Sequence, residues 1–433
     1  MQRYSVTTLD GGERIVSERV GSVRSVSIGI WIGAGSRDEA AGEAGISHFI
    51  EHLLFKGGSR YSAVEIAQVF DGLGGELNAA TGREYTVVYA RVLDAHLEAA
   101  LDVMADMVLQ PRFDGDDMNA EREVVLEEIA MYEDTPQDLV HDLIAQAVFG
   151  DHPLGRPVIG TERVISTATP ADVRSYHDSR YVGPNIVVAA AGNLDHEPLV
   201  HAIQTRFAPL SRIPDPAAGV RPVWIGESAP RSLFQQKDTE QFHIALGGLG
   251  LQRSDRRRFA ASLLDSMLGG SASSRLFQEI REQRGMAYSV YTYASQYADT
   301  GMVGVYLGTR EDNLAECLRI VADQFRVMGN GGFEEGELAR AKENLKGRIM
   351  LSMESTSNRA SRLGKSVLTD TEVLSLDRIC AEIDAVDPDA IAALARQLFA
   401  PERLSAAGIG PSRERFGEAV ALLNPDLAGV TGA

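Results

Sequence analysis

The second half of the chain repeats the pattern of the first, and that repetition limits the fold more than any single segment does. Strand-like residues 24–35 are answered by 241–248, and strand patterns at 76–81 and 84–92 by 289–296 and 301–307. The amphipathic helix pattern at 95–109 returns at 313–328, and residues 113–130 line up with 333–350 at a constant offset. A self-similar chain of 433 residues is too long for one ordinary core and is most simply two copies of one unit. The expected fold class is α+β: two tandem homologous α/β sandwich domains, each an antiparallel-rich sheet covered by helices. The first domain is expected over 1–212 and the second over 231–433. Between them, 213–230 reads as a linker, because Pro214, Pro216, Pro222 and Pro230 with Gly219 and Gly226 leave no helical period.

The copies differ in two stretches that bear on chemistry. In residues 45–57, Ile46, Phe49, Ile50, Leu53 and Leu54 recur at helical spacing and make one apolar face. His48, Glu51 and His52 share the other face, since residues three and four apart are neighbours on a helix. Two imidazoles at i and i+4 can grip one cation with a carboxylate beside them, and H-x-x-E-H reverses the zinc-binding H-E-x-x-H. Zinc in a hydrolase takes three protein ligands and a water. The third ligand must come from elsewhere, and a carboxylate of the helix at 116–132 is the natural source. That helix offers Glu121, Glu123, Glu127 and Glu128, with Glu128 the first choice and Glu123 and Glu127 assigned to the surface. Val124, Val125 and Leu126 suggest a largely buried helix, where carboxylates need a cation. At the constant offset, Leu268 falls on His48, Ala341 on Glu121 and Arg348 on Glu128, so the second copy has lost the metal residues.

Composition narrows the partners. A formal net charge of −19 argues against nucleic acid and anionic membranes, both of which call for basic patches. No run approaches the length of a membrane span, and the first residues lack a signal-type apolar stretch. Cys317 and Cys380 are too few for a disulfide framework. Together these favour the cytoplasm.

The spaced motifs resemble the pitrilysin and mitochondrial-processing-peptidase family of inverted zincins, in its bacterial two-domain branch, over nearly the whole chain. His48-Phe49-Ile50-Glu51-His52 matches the family's H-x-x-E-H, and residues 121–128 match its distal acidic helix. The resemblance implies that His48, His52 and Glu128 hold one Zn²⁺ per chain. Glu51 is then the general base, which takes a proton from the metal's water and passes it to the leaving amine. Glu121 supports a metal-bound imidazole. Asn78, Ala79 and Ala80, in Leu77-Asn78-Ala79-Ala80-Thr81, lie on the strand that pairs with bound peptide in that family. Arg281 and Tyr288 have the spacing of its substrate-holding Arg/Tyr pair. By the same resemblance the chain is a zinc-dependent endopeptidase, processing-peptidase-like, acting on peptides or unfolded polypeptides. It would be a homodimer that closes a clamshell chamber. A non-catalytic, core-protein-like structural or peptide-binding subunit is the alternative, but such proteins lose the zinc residues that this chain keeps.

Overall fold

The computed structural model describes residues 4–208, 210, 224 and 229–429, and the backbone of Thr431–Gly432. It contains two six-stranded sheets. The first is built from β1 (Tyr4–Thr8), β2 (Arg14–Arg19), β3 (Ser25–Ile32), β4 (Glu76–Thr81), β5 (Thr86–Leu93) and β6 (Ile186–Gly192), in the order β1-β2-β6-β3-β5-β4. The second is built from β7 (Ser232–Gln236), β8 (Phe242–Leu249), β9 (Ala287–Gln296), β10 (Gly301–Thr309), β11 (Ser405–Gly410) and β12 (Thr431–Gly432), in the order β12-β7-β11-β8-β10-β9.

Reading from β2 and β7 inward, the sheets correspond strand for strand. One parallel pair, β2–β6 or β7–β11, is followed by antiparallel neighbours out to the edge strand β4 or β9. Only the outermost strand differs. β1 lies antiparallel to β2, whereas β12 lies parallel to β7 and comes from the other end of the chain. The fold is thus the mixed, antiparallel-rich, duplicated one that the sequence pattern implied. No helix among the described residues is long and apolar enough to cross a membrane.

Two compact units emerge, and neither is contiguous in sequence. One comprises Met1–Ala130, Pro157–Pro222 and Met350–Ser375; the other comprises Met131–Arg156, Val223–Ile349 and Leu376–Ala433. The expected linker at 213–230 lies almost wholly outside the described residues. The simple division into 1–212 and 231–433 misses an exchange of helices: Pro136–Phe149 packs in the second unit and Thr356–Leu368 in the first.

The reason is exposed sheet. β3 alternates like a half-buried strand, yet from Val26 to Ile32 it is buried on both faces. Ile28, Ile30 and Ile32 face the main core, with Phe49, Ile50 and Leu53. Trp31, on the other face, packs with Val87, Val187 and Leu363. The covering helix Thr356–Leu368 is fixed there by polar bonds. Ser27 Oγ bonds the hydroxyls of Thr356 at 2.8 Å and Ser357 at 2.9 Å, and Arg359 pairs with Glu18. Gly364 lets the helix come close, because a Cβ there would sit 2.3 Å from the indole nitrogen of Trp31.

Candidate metal centre

The helix Ile46–Leu54 begins at Gly45, whose φ of +99° is a left-handed value that glycine adopts without strain. It has no side-chain cap of its own. Instead the buried Glu39 carboxylate accepts from the backbone N–H of Gly45 at 2.8 Å and of Ser47 at 2.9 Å. A carboxylate there satisfies orphan donors and suits the positive end of the helix dipole. Ile46, Phe49, Ile50, Leu53 and Leu54 are buried in the core, which leaves His48, Glu51 and His52 on the half-open face.

The helix Gly115–Glu133 brings Glu121 and Glu128 to the same face. It is less buried than its valines suggested: Met118, Glu121, Val125 and Ile129 are buried, while Val124 is half exposed. A one-sided helix with Glu121 and Glu128 two turns apart on the inner face is what a period of 3.6 allows. Glu123 and Glu127 are exposed, as expected.

The three candidate ligands converge. His48 Nε2 and His52 Nε2 are 3.3 Å apart, and Glu128 Oε2 lies 3.7 Å from the first and 3.4 Å from the second. A zinc ion bonded at about 2.0–2.1 Å in tetrahedral geometry needs donors separated by about 3.3–3.4 Å, so the set fits one. Among the described residues it is the only group of three or more such side chains near enough to share a metal ion. The buried Oε2 of Glu128 has no hydrogen-bond partner. Burial, reinforced by His52, pushes the His48 imidazole down to about 4, which keeps it in the neutral, metal-binding form.

The surroundings are also built. His52 Nδ1 lies 3.0 Å from Glu121 Oε1, a bond that assigns the proton to Nδ1 and leaves Nε2 free to ligate. Lys56 pairs with the other oxygen of Glu121. Glu51 Oε2 accepts from the Thr81 hydroxyl at 2.5 Å, and burial raises its carboxyl above the ordinary range. Tyr181 is buried near enough for the Glu51 charge to act on it; burial first, then that charge, raises its phenol.

Residues 14–162 match the family described as insulinase (peptidase family M16), and residues 167–345 match the peptidase M16 inactive domain. An uncharacterized zinc protease of Streptomyces coelicolor is 44% identical, over 94% of this chain and 90% of its own length. The chain belongs to peptidase family M16. An uncharacterized zinc protease of Bacillus subtilis is 42% identical over 95% of this chain and 98% of its own. The fold is shared with a protease from Helicobacter pylori at a TM-score of 0.89 and 21% identity, covering 94% of this chain and 100% of that one. It is shared too with the peptidase M16 inactive domain from Pseudomonas fluorescens, at 0.88 and 23%, covering 95% and 99%.

Asn78, Ala79 and Ala80 lie on β4, an edge strand with β5 as its one strand neighbour among the described residues. Arg281 and Tyr288 form a pair in the second unit, the guanidinium 4.6 Å from the Tyr288 ring, with that ring largely exposed. The sequence pattern missed three groups. Lys56 falls within residues 45–57 and Thr81 ends the 77–81 segment, but nothing in spacing marked them as partners of Glu121 and Glu51. Glu39 lies six residues before Gly45, in a segment with no regular period, so no periodic signal points to it.

Proposed function

We propose that this chain is a zinc-dependent endopeptidase that hydrolyses peptides or unfolded polypeptides. The observation that carries the reading is the convergence of two imidazoles and one carboxylate on a point flanked by Glu51. In this reading His48, His52 and Glu128 hold the ion, one per chain, and Glu121 positions His52. Bound zinc would acidify its water and polarise the scissile carbonyl. Glu51, half-buried and aimed by the Thr81 hydroxyl, accepts the water's proton and delivers it to the departing amine nitrogen. The edge of β4 that pairs with no strand among the described residues offers main-chain donors and acceptors to an extended peptide, which favours unfolded substrates. Arg281 and Tyr288 supply donors for a substrate carbonyl. A homodimer enclosing its substrate, in the cytoplasm, completes the proposal by analogy with the resembled family.

The test is cleavage of a quenched fluorogenic peptide by the purified chain with stoichiometric zinc. Hydrolysis that a chelator abolishes and added zinc restores supports the reading. Chelator-insensitive turnover, or none by a zinc-loaded protein, removes it.

A further inference from the structure

On the outer face of the first sheet, beside β4, lies a hollow of about 290 Å³. It belongs wholly to the first unit and exists because the helix Thr356–Leu368 covers that face. Its walls include Trp31, Tyr85 and Tyr89, with ring centroids of Trp31 and Tyr85 5.2 Å apart. The Lys365 ammonium stands 5.3 Å from the Tyr85 ring and 5.9 Å from the Trp31 ring, and no carboxylate pairs with it among the described residues. The buried indole N–H of Trp31 likewise finds no acceptor. Ala80 of β4 lies on the hollow's margin, exposed.

We propose that this hollow is a substrate side-chain pocket selecting an acidic residue, glutamate better than aspartate, close to the scissile bond. The inference rests on the peptidase reading above. An extended peptide added to the edge of β4 turns successive side chains to opposite faces of the sheet. One on the outer face meets Ala80, whose methyl group leaves the way across to the rings open. Ala80 adjoins Thr81, and Thr81 bonds Glu51, so at about 3.3 Å per residue the side chain lies within about two residues of the reacting carbonyl. The rings take an apolar stem. The ammonium belongs to an exposed side chain and has no carboxylate partner among the described residues, so a substrate carboxylate gains a charge-assisted bond there in exchange for water, beside the ring faces. A lysine or arginine in the same place meets like charge. The wider molecule, at −19, disfavours acidic peptides in general, so a local acid preference would stand out against that background.

The test uses the zinc-loaded Glu51→Gln protein and labelled peptides in which Glu, Gln, Phe or Lys is placed in turn at each position flanking the cleaved bond. Binding is read by fluorescence anisotropy. At one position Glu should bind about three- to ten-fold more tightly than Gln, and Lys365→Glu should turn that preference to Lys. Equal affinities at every position, a preference for Phe, or an acid preference that survives Lys365→Glu overturns the pocket. Turnover of the same peptides by the wild type separates the two readings. Hydrolysis without acid selection removes the pocket and leaves the peptidase. Acid-selective binding without any hydrolysis keeps the pocket and removes the peptidase.

Discussion

The helices Ile46–Leu54 and Arg258–Leu268 hold the same place in the two repeats, each between the central strand β3 or β8 and the edge strand β4 or β9. Each carries a carboxylate bonded to a threonine of that edge strand: Glu51 to Thr81 at 2.5 Å, Asp265 to Thr292 at 2.6 Å. Burial raises both carboxyls. What differs is the source of positive charge. Around Glu51, two histidines and Glu128 lie near enough to one another to share a metal ion. Around Asp265, Ser262 and Ser266 stand where the histidines would be, and Arg348 lowers the carboxyl electrostatically. Arg348 lies on the helix Glu337–Ser352, the counterpart of the helix that bears Glu128. The threonine-bound carboxylate is therefore a property of the scaffold. One copy adds three side chains near enough to one another to share a metal ion, and the other sets the charge of a guanidinium near the carboxyl.

The largest test sets Glu51→Gln against Asp265→Asn. The first should keep its zinc, by metal analysis, and lose about 10²–10⁴-fold in peptide turnover. The second should change neither zinc content nor turnover; loss of either would break the comparison. Next comes Glu121→Ala, which should weaken zinc binding about 10–100-fold in a competition titration with a chelating dye. Ala341 holds the corresponding position in the other repeat and is buried without a polar partner. Unchanged zinc affinity in Glu121→Ala would mean that the His52 bond orients nothing.

The exchanged helices give a smaller contrast. Gly364→Ala would bring a Cβ within 2.3 Å of the rigid Trp31 indole, and Gly247→Ala would bring one within 2.8 Å of the flexible Ile144 side chain. We expect Gly364→Ala to cost about 1–3 kcal/mol in urea unfolding and Gly247→Ala less. The reverse order would show that the indole yields where the aliphatic chain does not.

These contrasts separate what periodicity records from what it omits. The strand at 76–81 lies where its pattern put it, and the helix expected at 95–109 runs over Leu97–Leu109, because local apolar spacing and Gly and Pro boundary residues decide such elements. That His48, His52 and Glu128 converge was readable because those residue types at that spacing carry rare chemistry. The helix exchange was not, since which sheet face a helix covers depends on contacts hundreds of residues apart. Trp31 held a hint: a large indole on the supposedly open face of β3 needs a cover. The constant offset that aligned 333–350 with 113–130 fails over the first helix. There the threonine bonds put Ser262, not Leu268, in the place of His48, because connections of different length precede the matched segment.

The finest test concerns the stand-in cation. Asp265 has a raised pKa in the folded protein, so the fold holds that proton more tightly than the unfolded chain does. Its favourable contribution is fully present below the unfolded carboxylate value of about 3.9 and is lost as pH rises through the folded value. The carboxamide in Asp265→Asn cannot titrate. The stability gap between wild type and that variant, measured by urea unfolding, should therefore be wider near pH 4 than near pH 8, by an amount on the order of 1 kcal/mol. Arg348 acts against the effect of burial, holding the carboxyl lower than burial alone would. Removing that charge with Arg348→Met should raise the carboxyl further and move the pH at which the gap closes upward. If the gap closes at the same pH in both backgrounds, the guanidinium does not serve Asp265 as a cation, and the parallel with the metal in the other repeat ends at the threonine.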